Sequence, residues 1–97
     1  MKRNLLIVEC EKNLDTLYRI MSIIRKRYPE LEHMNVRERN GKWEITATLR
    51  CRELDCNLLR RKLNSVIGVD SALVYPLTIQ HELGFGKSTL IPQEALK

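Results

Sequence analysis

Apolar and polar positions alternate along the chain in two different periods, and together they mark out strand, helix, strand, strand, helix, strand. From Leu5 to Cys10 aliphatic residues fall on both alternating faces, as in a central strand whose two sides are covered, at least in part. Asn13 can cap a helix through its side-chain oxygen, and Asp15 in the first turn suits the positive helix N-terminus. Leu14, Leu17, Met21, Ile24 and Tyr28 then recur at steps of three and four, with Ile20 beside them, as one apolar stripe. Pro29 ends this helix, because the residue before a proline avoids the α region.

Asn40-Gly41 separates two strand-like runs, Leu31 to Arg39 and Lys42 to Cys51. A type I′ turn needs positive φ at both central residues, so this dipeptide is the strongest short-range hairpin signal. A two-residue loop pairs Arg39 with Lys42, and from there Glu38 with Trp43, Arg37 with Glu44, Val36 with Ile45, Asn35 with Thr46 and Met34 with Ala47. Trp43, Ile45, Ala47, Leu49 and Cys51 then face inward, and Glu44, Thr46, Thr48 and Arg50 outward. Asp55 is the expected cap of a second helix with Cys56, Leu59, Leu63, Val66 and Ile67 on one face. Gly68 supplies its left-handed end, and Ser71 to Tyr75 is the last strand, stopped by Pro76.

This order is the split βαβ arrangement of ferredoxin-like α+β folds, βαββαβ. Right-handed crossovers place both helices on one face of a four-stranded antiparallel sheet of strand order 4-1-3-2. The other face carries Leu5, Ile7 and either Leu73 or Tyr75 among polar residues. A partly apolar face of this kind commonly meets another chain, so a homodimer through Leu5, Ile7 and Tyr75 is expected. Residues 1–77 make the domain, and 78–97, with Gly84, Gly86 and Pro92, form a tail that is flexible or packs on a partner.

Ninety-seven residues suffice for one core, and 43% hydrophobic with 30% charged residues excludes the apolar-poor signature of disorder. The longest apolar run, Leu5 to Val8, is far below the ~20 residues that cross a bilayer, and no small-residue cleavage site follows it. Cys10, Cys51 and Cys56 are an odd set without paired CxxC spacing, which points to reduced thiols in a cytoplasmic protein and gives zinc no support. The net charge of +5 and pI of about 9.4 hint at acidic partners, but the only clusters, at residues 25–27 and 60–62, read as solvated helix faces.

Catalytic and metal chemistry finds no constellation. The stretch 84–89, Gly-Phe-Gly-Lys-Ser-Thr, ends like a phosphate-binding loop, but His81 stands where the first glycine belongs and little chain remains for the helix that must follow. His33 and His81 lack a Cys or carboxylate at ligand or triad spacing, and Glu9, Glu11, Glu53 and Asp55 read as cap or solvated groups. Nucleic-acid binding on this fold uses exposed aromatics on the two central strands, which here carry Glu44, Thr46, Thr48, Arg50, leucine and isoleucine. The remaining feature is the turn from strand one into helix one, Lys12, Asn13, Leu14, Asp15 and Thr16, where helix amides can hold a small carboxylate or simply be capped.

Residues 13–27, Asn-Leu-Asp-Thr-Leu-Tyr-Arg-Ile-Met-Ser-Ile-Ile-Arg-Lys-Arg, followed by His33-Met34-Asn35-Val36, resemble the ACT domain of acetolactate synthase small subunits, closest to the short type. The resemblance spans residues 4–77. It implies a non-catalytic regulatory subunit, without cofactor, that activates a thiamine-diphosphate-dependent large subunit in branched-chain amino-acid biosynthesis, often under feedback by valine. In feedback-sensitive relatives the turn carries a glycine two residues before a leucine that matches Leu17; Asp15 stands there, and Lys12 replaces an expected asparagine. A side-chain carboxylate in place of close backbone approach implies weak or absent valine binding, with subunit activation retained. Two alternatives stay open, a stand-alone amino-acid sensor dimer and a basic RNA-associated module.

Overall fold

The computed structural model describes residues 2–27 and 30–77. It contains β1 (Lys2–Cys10), α1 (Leu14–Arg27), β2 (Leu31–Arg39), β3 (Lys42–Cys51), α2 (Glu53–Asn64) and β4 (Val69–Pro76). All strand pairs are antiparallel, and the sheet order is β2-β3-β1-β4, the ferredoxin-like arrangement expected. Every hairpin pair from Arg39↔Lys42 to Met34↔Ala47 is as the turn dictates, with Asn40 at φ 53° and Gly41 at φ 78°. Beyond Met34 the register shifts between Leu31 and His33, which leaves Glu32 as a bulge.

Both helices cover one face. Leu6, Val8, Cys10, Ile45, Ala47, Leu49, Cys51 and Ala72 from the sheet meet Ile20 and Ile24 of α1 and Cys56, Leu59 and Leu63 of α2. Burying a large aliphatic side chain contributes roughly 1.5–3 kcal/mol, so this cluster carries the stability of the domain. The rotation of α1 differs from the stripe read along the sequence. Thr16, Ile20 and Ile24 are buried, whereas Leu14 is 73% and Met21 45% exposed, because the helix seats itself by the row that reaches the sheet. Tyr28 and Pro29 lie outside the described residues, as does 78–97 with its glycine-lysine stretch and His81.

Three expectations about α2 and its flanks are corrected. The helix begins at Glu53, so Asp55 sits within its first turn and pairs with Arg52 (Nε to Oδ2 3.1 Å), while the N-cap Arg52 makes no side-chain cap bond. The chain leaves the helix after Asn64 through Ser65, so Gly68 (φ 96°) falls beyond its end, and Ile67 is 80% exposed. Cys51 and Cys56 are joined by a disulfide with Cα atoms 6.3 Å apart, leaving Cys10 as the free cysteine. The odd cysteine count concealed a pair brought together by the strand-to-helix corner.

On the open face, Leu5 stands opposite Tyr75 and Ile7 opposite Leu73, so both β4 residues lie there. Leu5 is only 8% exposed, and Thr48, between Leu5 and His33 in register, is also buried. Ion pairs frame this strip: Glu32 accepts from Arg3 (2.7 Å) and lies 3.4 Å from Arg50, and Glu44 accepts from Arg37 (2.8 Å) and Arg39 (3.3 Å). The two sheet edges differ. At β4, the Asn64 side chain donates to the Ala72 carbonyl (3.1 Å) and accepts from its amide (3.0 Å), closing that edge locally.

Candidate functional site

The turn between β1 and α1 is held by the fold from two sides. The Glu11 amide donates to the Gly68 carbonyl (2.9 Å), so the end of β1 is tied to the chain entering β4. Asn13 caps α1 as expected: its Oδ1 accepts from the amides of Asp15 (2.8 Å) and Thr16 (3.2 Å). Its carbonyl accepts from the Leu17 amide (3.0 Å), which begins the helical ladder.

Glu11 enters the site as a residue the sequence pattern marked only as solvated. Its Oε2 accepts a hydrogen bond from the Thr16 hydroxyl at 2.8 Å, and Thr16 is 3% exposed. Gly68 makes the room. A Cβ there would meet Glu11 Oε2 at 2.2 Å and Thr16 Oγ1 at 2.9 Å, on a backbone whose φ of 96° already disfavours a side chain. Glu11, Thr16 and Gly68 therefore form one unit, with the chain's own carboxylate beside the helix start. Only the antiparallel pairing of β1 with β4 brings residue 68 to residue 11, and neither a motif nor a spacing in the sequence signals it.

The five residues expected here thus divide. Asn13 and Thr16 are committed to the turn, and Lys12 reaches the hairpin, where its Nζ donates to Glu38 Oε1 at 3.0 Å. Leu14 and Asp15 stay exposed, and the Asp15 side chain has no hydrogen-bond or ion-pair partner among the described residues. With Leu17, Tyr18 and Met21 they line a shallow groove of about 390 Å³ on α1. The free charge at this groove is negative, which suits a cationic group and disfavours a carboxylate. A second, more apolar hollow of about 360 Å³ lies between α1 and the start of β2, lined by residues that include Tyr18, Met21, Ile24, Leu31 and Met34. No sequence signal marks it, because Met21 and Ile24 share one apolar stripe and only the seating of α1 against the sheet turns Met21 outward.

Chemistry elsewhere is sparse. Among the described residues no group of three or more His, Cys, Asp or Glu side chains could hold a metal. Burial pushes the Cys10 thiol above its ordinary value, and the nearby carboxylates of Asp70 and Glu11 add to the effect. The Lys42 ammonium is raised mainly by its hydrogen bond to Asp70. No described helix is long and apolar enough to cross a membrane.

A four-stranded antiparallel sheet with two helices on one face and a capped turn after the first strand defines a ferredoxin-like domain, and solved structures share this fold. The chain superposes on the ACT domain of GTP pyrophosphokinase from Chlorobium tepidum with a TM-score of 0.65 at 15% identity, over 75% of this chain and 96% of that one. An uncharacterised Thermotoga maritima protein matches with a TM-score of 0.69 at 14% identity, over 79% and 98% of the two chains. The C-terminal domain of the MgtC protein from Mycobacterium tuberculosis matches at 0.66 and 14%, over 78% and 87%. No protein-family model matches the sequence, and comparison with curated proteins finds no significant relative. The fold is that of ACT domains.

Proposed function

We propose that this chain is a non-catalytic regulatory module of ACT type, and that it acts as the small subunit that binds and activates a thiamine-diphosphate-dependent acetolactate synthase in branched-chain amino-acid biosynthesis. The observation that carries a protein-binding role is the exposed apolar row of α1, Leu14 at 73%, Tyr18 at 71% and Met21 at 45% exposure, beside a turn whose polar groups are largely matched within the chain. Such a row is more readily covered by protein than by water. The resemblance of residues 13–27 and 33–36 to acetolactate synthase small subunits supports the particular partner. A homodimer belongs to the same reading, since Ile7, Leu73 and Tyr75 offer a second copy apolar area on the open face.

The test is a pull-down from native lysate with the tagged chain, followed by assay of the bound protein for acetolactate formation from pyruvate with and without this subunit. Several-fold activation is expected. Absence of both a partner and activation would sink the subunit reading and leave the second one, a stand-alone amino-acid sensor.

That second reading rests on the uncommitted Asp15 carboxylate beside an apolar groove, a pairing that could hold an amino acid by its ammonium and side chain. It predicts a raised melting temperature in millimolar amino acid, since a ligand at a hundredfold excess over Kd adds about 2.7 kcal/mol. An RNA-associated role draws less support, because Arg3, Arg37, Arg39, Lys12 and Lys42 all stand against carboxylates.

A further inference from the structure

The disulfide at the β3–α2 corner borders a hollow of about 280 Å³, lined among others by Cys51, Cys56, Asn4, Lys2, Arg60 and Glu53. Two cations against one carboxylate leave this hollow net positive, and neither Lys2 nor Arg60 has an ion-pair partner among the described residues. Cys56 is 5% and Cys51 2% exposed, so the bond is shielded on the core side and bordered by the hollow on the other. We propose that Cys51–Cys56 is an exchangeable disulfide, reached through this hollow by small anionic thiols, and that its redox state governs the start of α2.

Asn4, itself 7% exposed, donates from Nδ2 to Cys51 Sγ at 3.5 Å. A donor on that sulfur favours Cys51 as the departing thiolate. The incoming thiolate therefore bonds to Cys56 as the Cys51–Cys56 bond breaks. The Cys51 thiolate takes up a proton. A second thiolate then attacks the external sulfur of the mixed disulfide and releases Cys56, which is protonated in turn. The sum converts one protein disulfide and two thiols into a protein dithiol and one small disulfide. The helix start feels this because Arg52 makes no side-chain cap and Cys56 lies in the first helical turns, so the covalent bond adds to the core packing of Cys56 and its amide bond to the Arg52 carbonyl (3.0 Å) in holding them to β3.

The experiment uses the full chain, oxidised in air, incubated without denaturant with reduced glutathione, a net-anionic tripeptide thiol, or with cysteamine, a cationic one. Thiols are then counted by alkylation under denaturing conditions and mass spectrometry. One alkylated cysteine, Cys10, is expected before incubation and three after, with the transient glutathione adduct on the peptide containing Cys56. Reversing charge with Lys2→Glu and Arg60→Glu slows the glutathione reaction by roughly fivefold per charge and does not slow cysteamine. Amide hydrogen exchange at Cys56 and over the turn that follows it, the first amides bonded within α2, rises on reduction. Three alkylated cysteines in the air-oxidised chain, exchange that proceeds only in denaturant, an equal effect of charge reversal on both thiols, or unchanged hydrogen exchange would each overturn the proposal.

Discussion

The two strand-to-helix corners of this domain do the same geometric job by different chemistry. At the first, β1 turns into α1 under a hydrogen-bonded cap, with Asn13 holding two amides and Thr16 holding the carboxylate of Glu11 over Gly68. At the second, β3 turns into α2 with no side-chain cap, and a disulfide joins the last strand residue to Cys56. A corner built from polar contacts is indifferent to thiols, whereas a corner built on a covalent disulfide answers to redox state. The first is thus a redox-independent base for the exposed row of α1, and the second a place where order can be altered without touching that row.

Substitutions can break this contrast. The largest effect is expected from Gly68→Ala, which combines a disfavoured φ with displacement of the flexible Glu11 carboxylate from the Thr16 hydroxyl; together these cost about 2–3 kcal/mol, read by urea unfolding. In a Glu11→Ala background the same change should cost only about 1–2 kcal/mol, because the strained φ and the close approach to Thr16 Oγ1 remain while no carboxylate has to move. Equal costs in both backgrounds would show that the Glu11 carboxylate is not the obstacle.

Next is the covalent corner. Replacing Cys51 and Cys56 together by serine removes a short loop closure and should cost roughly 2 kcal/mol, and reducing agent should lower the melting temperature of the parent chain but not of the double variant. Smaller effects come from exchanging cap chemistry. Asn13→Ala should destabilise by about 1 kcal/mol, and Arg52→Ser, which installs the missing cap at the loss of an exposed ion pair to Asp55, should stabilise by roughly 0.5 kcal/mol. If Arg52→Ser destabilises by more than the exposed ion pair to Asp55 contributes, the new hydroxyl does not cap the α2 start.

The smallest effect is a slope in alkali. The Cys10 thiol is raised in the folded chain, so the folded state holds its proton where the unfolded state has lost it. Stability from this source is full below the ordinary thiol value of 9.0 and is lost as pH rises through the folded one. Lys42, also raised, acts in the same direction at higher pH. Unfolding midpoints measured from pH 7 to 10 should therefore fall, and Cys10→Ala should flatten the first part of the decline.

Much of the fold was readable because local chemistry and global arrangement agree. Asn40-Gly41 dictates the hairpin register residue by residue, and the order of elements admits few sheet topologies once crossovers are right-handed. Asn13 was legible as a cap for the same reason, since its partners lie two and three residues away. The candidate site was legible only in part. Lys12, Leu14 and Asp15 were found as positions, but the roles of Glu11 and Gly68 were not, nor were the hollows beside α1 and beside the disulfide.

What the sequence determined alone, then, are the features set by neighbours a few residues apart: the six elements, the hairpin pairing and the first cap. Tertiary structure decided which side of α1 is buried, putting Thr16 and Ile20 inside and Leu14 and Met21 outside. It also turned Gly68 from a helix end into the seat of the Glu11 carboxylate, and three nominally free cysteines into one thiol and one disulfide. The physical reason is common to all three. Helix rotation, close approach and sulfur pairing depend on distances between elements, and those distances exist only once the sheet has brought the elements together.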